Sequence, residues 1–206
     1  METDGALRKA AKFGAVDACF RLGHRIAFGR GRKRNWKATF QLWETAAKAG
    51  HTRAKFYLGT CYDSGKGVKT NVVKAMYWYA EAAKEDCPDA QYNLALGYRN
   101  GEGVPKSIKD HLLWLRKAAA LDDIDALSDL GYCYHEGQGV KQDFVRAAKL
   151  YRRAALGGLP RAQWNLALCY LSSEGLPRSR QSAMRWLKRA ANARHPAALA
   201  KLKELQ

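Results

Sequence analysis

Acidic residues are scarce in this chain of 206 residues, because 19 aspartates and glutamates stand against 36 lysines and arginines, for a net charge of +17. An excess of this size raises the question of a polyanionic partner. No apolar run approaches the roughly 20 residues of a membrane span, and the N-terminal sequence lacks the apolar core of a secretory signal. We therefore expect a soluble, cytoplasmic protein, with a nuclear location open if the host cell is eukaryotic.

Signatures of catalysis are missing as well. The five cysteines include no CxxC pair and no zinc spacing, so reduced thiols are the simplest interpretation. The five histidines form no HExxH motif, no Gly-x-Ser-x-Gly elbow is present, and no glycine pair has the context of a phosphate-binding loop. We expect no enzyme activity, no catalytic residue, no cofactor and no metal site. An apolar fraction of 47% nevertheless excludes a disordered basic tail.

The chain does contain an internal repeat with a period of 36 residues. Alanine recurs at that interval, at Ala18, Ala54, Ala90, Ala126, Ala162 and Ala198. A leucine follows each alanine by four positions, and a small residue follows each of the first five leucines. Two glycines separated by one residue return in four of the five copies, and an Ala-Ala pair returns in all five. This many columns in phase indicate a repeat architecture.

Each unit has the pattern of a helix, a turn and a second helix. The alanine, leucine and tyrosine columns, spaced by four residues, lie on one face of a first helix. The glycines end that helix because glycine adopts left-handed backbone angles without strain. The second helix begins at residues that favour the N-cap, namely Asn35, Asn71, Ser107, Asp143 and Ser179. We expect its buried stripe to include Leu42, Trp78, Trp114, Leu150 and Trp186.

The same register predicts how the whole chain is organised. The five complete units are 18–53, 54–89, 90–125, 126–161 and 162–197. Residues 1–17 align with the back half of a second helix, and residues 198–206 align with the start of a first helix. We expect both segments to be capping half-units, because each repeat needs neighbours on both sides to bury its faces.

The unit resembles the Sel-like repeat, or Sel-one repeat, a relative of the tetratricopeptide repeat. The resemblance rests on the pattern A-x-x-x-L-G-x-x-Y-x-x-G-x-G-V, followed by a capped second helix with K-A-x-x-W-Y and A-A. Residues 54–89 match this pattern almost throughout, whereas the first unit departs from it at Ile26 and Arg32 and the fifth lacks the first glycine. The resemblance implies an all-α fold, a right-handed α-α superhelix (solenoid) of 36-residue helix-turn-helix repeats. It also implies that the first helices line a concave face.

Adaptor function follows from the same resemblance, because most Sel-like repeat proteins assemble protein complexes. We expect a non-enzymatic scaffold that mediates protein–protein interaction through its concave face, as a monomer or a weak homo-oligomer. A cysteine-rich subgroup has been linked to penicillin binding or β-lactam hydrolysis and has a disulfide in each repeat. Only Cys19 occupies the first of the two cysteine slots here, and Ala47 stands in the second. β-Lactam chemistry is therefore the weakest alternative.

Large side chains stand beside the Ala/Leu/Tyr stripe, where the tetratricopeptide relative contacts its ligands. The residues that we expect to form the protein-binding concave face are Phe20, Phe56, Tyr92, Trp164, Asn93, Arg99, Tyr132, His135 and Asn165. Aromatic anchors beside polar groups suit an extended peptide or a partner helix. The alternative is that these rings only pack between adjacent first helices.

The excess charge is concentrated in two regions. Nine basic residues and one acidic residue give residues 18–53 a net charge of +8, whereas residues 54–125 carry ten of each sign. Eight basic and two acidic residues lie in 162–206. The alternative to the adaptor function is binding of an acidic protein surface or a nucleic acid at two basic patches, formed by Arg30, Arg32, Lys33, Arg34, Lys37, Arg178, Arg180, Arg185, Lys188 and Arg189. The alternative is a solvated face that only keeps the chain soluble.

Overall fold

The computed structural model describes residues 4–29 and 34–205. Within these ranges the regular structure is entirely α-helical. The helices are α1 (Asp4–Lys12), α2 (Val16–Phe28), α3 (Trp36–Lys48), α4 (Thr52–Ser64), α5 (Val72–Ala83), α6 (Pro88–Asn100), α7 (Ile108–Ala120), α8 (Ile124–Glu136), α9 (Phe144–Leu156), α10 (Pro160–Ser172), α11 (Arg180–Asn192) and α12 (Pro196–Leu205). The even-numbered helices are the first helices of the sequence pattern, and the odd-numbered helices are the second.

The chain divides into two compact units, with the boundary between Ser107 and Ile108. In the first unit, each helix from α1 to α6 packs against its neighbour in the sequence. In the second unit, the same holds from α7 to α12. Packing between sequence neighbours is the expected arrangement of a repeat array, in which each hairpin buries its apolar faces against the next.

The helix ends follow the predicted capping. Side chains of the predicted N-cap column accept the backbone N–H three residues on, as seen at Asn35, Asn71, Asp143 and Ser179. Left-handed glycines end the first helices at Gly65, Gly101 and Gly137. The fifth repeat holds a serine in the same left-handed conformation, with φ +64° at Ser173. The first repeat differs, because Gly29 is extended, with φ −62°.

The buried stripe of the second helices lies one residue later than predicted. The side chains predicted to be buried, Leu42, Trp78, Trp114, Leu150 and Trp186, are only partly buried. The next residue is at most 2% exposed in every repeat, at Trp43, Tyr79, Leu115, Tyr151 and Leu187. Both columns lie one turn before the Ala-Ala pair, so periodicity does not separate them. The small residue of the first helix determines which column is buried, because it leaves room for that side chain. A Cβ on Gly59 would lie 2.6 Å from the Tyr79 ring.

Candidate functional site

The nine residues expected on a protein-binding face all lie on first helices of the repeats. Arg99 on α6 and Tyr132 on α8 are exposed. The remaining seven are partly buried, namely Phe20, Phe56, Tyr92, Asn93, His135, Trp164 and Asn165. We refer to these nine residues, five of which lie in the first unit and four in the second, as the first-helix face. Partial burial allows a ring to pack on one side and to offer its other side to a ligand.

Two aromatic residues of the first-helix face pack on the start of the next first helix. Phe20 stacks on His51 with ring centroids 4.3 Å apart, and Trp164 stacks on His195 at 5.6 Å. Nδ1 of each histidine accepts the backbone N–H three residues on and so caps its helix. One side of each of these two rings therefore packs between adjacent first helices, as the alternative to a binding role predicts. The signal for this role is the spacing of the two histidines by 144 residues, which is four periods.

A pocket of 260 Å³ opens beside this stacked pair in the first unit. Its lining, contributed by α2 and α4, comprises Phe20, Arg21, His24, Arg25, Arg53 and Tyr57. The rings of Phe20 and Tyr57 form an apolar wall, with centroids 5.9 Å apart. We call this cavity the first-helix pocket. Of its lining residues, Phe20 is the one that belongs to the nine residues expected on a protein-binding face.

The first-helix pocket is positively charged because of its arginines. Burial and the nearby Arg53 guanidinium both lower the pKa of His24, so this imidazole is neutral near pH 7. Arg21 lies 3.4 Å from Asp17 in an exposed pair. The pocket thus combines guanidinium groups, which bind carboxylates through paired hydrogen bonds, with an aromatic wall.

Three repeats later, the equivalent positions form a closed ion-pair network. Arg161 lies 2.9 Å from Asp125 and 2.8 Å from Asp129. These residues stand 108 residues after Arg53, Asp17 and Arg21, respectively. The two sets of residues therefore differ in the charge at one position, because the first unit has Arg21 where the second unit has the Asp129 carboxylate. Because of this exchange, the three residues carry a net charge of +1 in the first unit, whereas their counterparts in the second unit carry −1.

The predicted site residue His135 connects two consecutive repeats. Its Nδ1 lies 2.7 Å from Glu136 Oε1 and its Nε2 lies 3.1 Å from Glu174 Oε2. Burial lowers the pKa of His135, but the hydrogen bonds and charges of the two carboxylates outweigh burial, so its pKa is raised. The same contact contributes to lowering the pKa of Glu174. His135 therefore acts in the repeat-to-repeat contact, through charge as well as packing.

A pH-dependent stability contribution follows from this contact. Because the pKa of His135 is raised in the folded chain, its stabilising effect is full below the ordinary value of 6.5 and is lost as the pH rises through the folded pKa. His135→Gln should therefore lower the free energy of unfolding more at pH 5.5 than at pH 8.5. Urea unfolding of both proteins at the two pH values measures this. An equal loss at both pH values would contradict the ion-pair interpretation.

The two predicted basic patches differ in how much of them the structure describes. Arg30, Arg32 and Lys33 lie outside the described residues. Arg34 and Lys37, at the start of α3, are exposed. All five members of the second patch are exposed, namely Arg178, Arg180, Arg185, Lys188 and Arg189. They lie on α11 and on the turn before it.

The cysteines show the properties of packing residues. All five are buried and carry free thiols. Burial raises the pKa of Cys61 and Cys169 to about 11, so neither is a thiolate near pH 7. Among the described residues, no three His, Cys, Asp or Glu side chains could hold a metal ion together. Within the same ranges, no helix combines the length and apolarity that crossing a membrane requires.

Hairpins of two helices that recur every 36 residues and pack on their sequence neighbours define a helical-repeat protein. The Sel1 repeat matches the chain at five segments, 16–51, 52–87, 88–123, 124–159 and 160–195. The chain therefore belongs to the Sel1 repeat family. The matched segments begin two residues before the units counted from the alanine column and keep the same period. No curated protein matches the chain.

Solved structures confirm the predicted fold class, the all-α superhelix of helix-turn-helix repeats. A Sel1 repeat protein from Oxalobacter formigenes is 32% identical, with a TM-score of 0.93 over 98% of this chain. The protective antigen c5321 of uropathogenic Escherichia coli strains, which displays an SLR fold, is 28% identical, with a TM-score of 0.92 over 100% of this chain. This chain covers only 59% and 44% of those two proteins, respectively.

Helicobacter pylori cysteine rich protein B is a more distant structural relative. It is 26% identical, with a TM-score of 0.50, and the match covers 61% of this chain and 95% of that chain. The free cysteines described above do not form the per-repeat disulfides expected of a cysteine-rich subgroup member. The common feature of these relatives is thus the repeat fold.

Proposed function

We propose that this chain is a non-enzymatic adaptor that binds a segment of a partner protein on the first-helix face. The family supports this proposal, because Sel1 repeat proteins commonly mediate protein–protein interaction. The observation that carries it is the first-helix pocket, where an aromatic wall and three arginines meet. Aromatic and arginine side chains are the residues most often found at the energetic centres of protein interfaces.

The chemistry of the pocket favours a particular kind of ligand. At 260 Å³ the pocket is smaller than the roughly 300–1,000 Å³ of small-molecule sites, so it suits a single side chain of a peptide. Phe20 and Tyr57 offer an apolar surface to that side chain, and Arg21 and Arg53 offer forked donors to a neighbouring carboxylate. We expect the bound segment to place a large apolar side chain next to an aspartate, a glutamate or a C-terminal carboxylate.

The double variant Arg21→Gln/Arg53→Gln tests the proposal. Both arginines are exposed, so their loss should leave the fold intact. Peptides are first selected from a displayed random library on the unmodified chain, and their affinity is then measured by fluorescence anisotropy. We expect the double variant to weaken binding at least about tenfold, because hydrogen bonds to charged groups contribute about 1.5–3 kcal/mol.

A matched control removes two exposed lysines from turns of the same unit. Lys69→Gln/Lys106→Gln changes the net charge equally, and we expect it to weaken binding less than twofold. A control by truncation of Phe56 would be ambiguous, because that ring packs on Tyr57 and Tyr79. The proposal fails if the library yields no enriched peptide, or if the selected peptides bind both double variants equally well.

A further inference from the structure

A second cavity lies in the second unit, and most of its lining comes from second helices of the repeats. It has a volume of 590 Å³ and is bounded by α9, α10 and α11. Its lining comprises Arg152, Leu156, Tyr170, Ser182, Arg185, Trp186, Lys188 and Arg189. We call it the α9–α11 groove. It includes three members of the second basic patch and adds Arg152 from the neighbouring second helix.

Among the residues that the structure describes, the cations of the α9–α11 groove have no acidic partner. Neither α9 nor α11 contains an aspartate or a glutamate. Arg152 donates instead to the Tyr170 hydroxyl at 2.7 Å, and Arg185 donates to the Ser182 hydroxyl at 3.3 Å. In the described part of the chain, no carboxylate lies within ion-pair distance of the four groove cations. Four uncompensated charges around one cavity attract an anionic ligand.

The groove also exposes apolar surface between its cations, and this restricts the kind of anionic ligand that fits it. Leu156 is 67% exposed at its rim, so its carbon surface is open to a ligand. Trp186 lines the groove, and the Arg189 guanidinium lies 4.8 Å from its ring centroid. One face of this indole is therefore covered and closed to base stacking, which single-stranded nucleic acids use. An acidic segment with apolar side chains matches both the charge and the exposed carbon surface.

The equivalent groove in the first unit has a different character. It lies between α1, α2 and α3, has a volume of 840 Å³ and is lined mostly by apolar and neutral polar residues. Counted back by 144 residues, Arg152 corresponds to Arg8, but Arg185 and Arg189 correspond to Gln41 and Thr45. The repeat fold thus provides such a groove with fewer cations. Of the four cations of the α9–α11 groove, Arg152 alone has a cationic counterpart in the first-unit groove.

From these observations we infer that the α9–α11 groove is a second binding site, which takes an acidic, amphipathic peptide segment of a partner protein. Carboxylates of the segment bind Arg152, Arg185, Lys188 and Arg189, and its apolar side chains pack on Leu156, Tyr170 and Trp186. This site is independent of the first-helix pocket, which lies in the other unit. An acidic segment bound there would balance part of the excess positive charge of the last repeat.

The test uses the full chain and a fluorescein-labelled 14-residue peptide of glutamate and leucine in helical spacing. We expect this peptide to bind at 150 mM NaCl and a copy with glutamine for glutamate to bind at least tenfold more weakly. Arg152→Gln/Arg185→Gln should weaken binding of the acidic peptide at least tenfold. Leu156→Ser, at an exposed site, should weaken it about threefold or more. Fluorescence anisotropy measures all four affinities.

Controls separate this site from general charge attraction and from the first-helix pocket. Lys149→Gln/Lys203→Gln removes two exposed cations outside the groove and should change the affinity less than twofold. Because the first-helix pocket is proposed to bind an apolar side chain next to a carboxylate, the affinities are also measured in an Arg21→Gln/Arg53→Gln background, where Arg152→Gln/Arg185→Gln should still weaken binding at least tenfold. Equal weakening by Lys149→Gln/Lys203→Gln and Arg152→Gln/Arg185→Gln, absence of binding, or tighter groove-dependent binding of a 14-nucleotide single-stranded DNA would overturn the inference.

Discussion

Leu115→Ala is expected to lower the free energy of unfolding by about 2–5 kcal/mol, the usual cost of truncating a fully buried leucine. Leu115 is 0% exposed on α7, and it belongs to the column that fills the interior of every repeat. Removing three carbon atoms there leaves a cavity that the neighbouring helices cannot close without losing their own contacts. Urea denaturation followed by circular dichroism measures the loss.

The adjacent residue provides the matched control. Trp114 is larger, but it is only partly buried, and its ring contacts the Lys117 ammonium at 4.5 Å. Trp114→Ala should therefore cost less, about 1–2 kcal/mol, from the loss of a cation–π contact and some packing. A larger loss from Trp114→Ala than from Leu115→Ala would contradict the buried stripe described for the second helices.

Gly103→Ala is the second substitution with a large expected effect, about 2–5 kcal/mol of destabilisation. Gly103 has φ +69°, where an alanine costs about 1–2 kcal/mol. Its missing Cβ would also lie 2.6 Å from the carbonyl oxygen of Val72, the first residue of α5. Because that contact is with backbone, a shift of the turn or of the helix is needed to relieve it, at about 1–3 kcal/mol.

Gly101→Ala separates the two contributions. Gly101 has φ +76°, close to the value of Gly103, but the atom nearest to its missing Cβ is a side-chain carbon at 3.3 Å. We expect this variant to lose only the conformational part, about 1–2 kcal/mol. If chemical denaturation gives equal losses for the two variants, the second glycine of the pair does not serve the close contact between successive repeats.

Much of the fold could be predicted from the sequence, because the repeat supplies the same local evidence several times. The N-caps at Asn71 and Asp143 and the left-handed Gly65 recur in register, so each was predicted from its column and each is confirmed. The choice between Trp114 and Leu115 could not be predicted in this way. It depends on which column meets the small residue of the first helix, a tertiary contact that periodicity does not encode.

The candidate sites were less accessible to sequence reasoning, because they arise where repeats differ. The first-helix pocket depends on Arg21 standing where Asp129 pairs with Arg161 three repeats later. The α9–α11 groove depends on Arg152 and Arg185, which are 33 residues apart and belong to different repeats. Comparing the charges of residues at the same repeat position would have indicated the first of these differences, Arg21 in place of Asp129. The second requires knowing that consecutive second helices line one cavity.

Chemical-shift mapping of a library-selected peptide on the ¹⁵N-labelled chain is the most direct test of the proposed adaptor function. Saturating peptide is expected to shift the backbone amides of α2 and α4 around the first-helix pocket, with the largest changes near Phe20, His24 and Tyr57. Amides of the second helices α9 and α11 should remain unchanged. The proposal would be contradicted if the shifts were confined to second helices or if they were spread evenly over the chain.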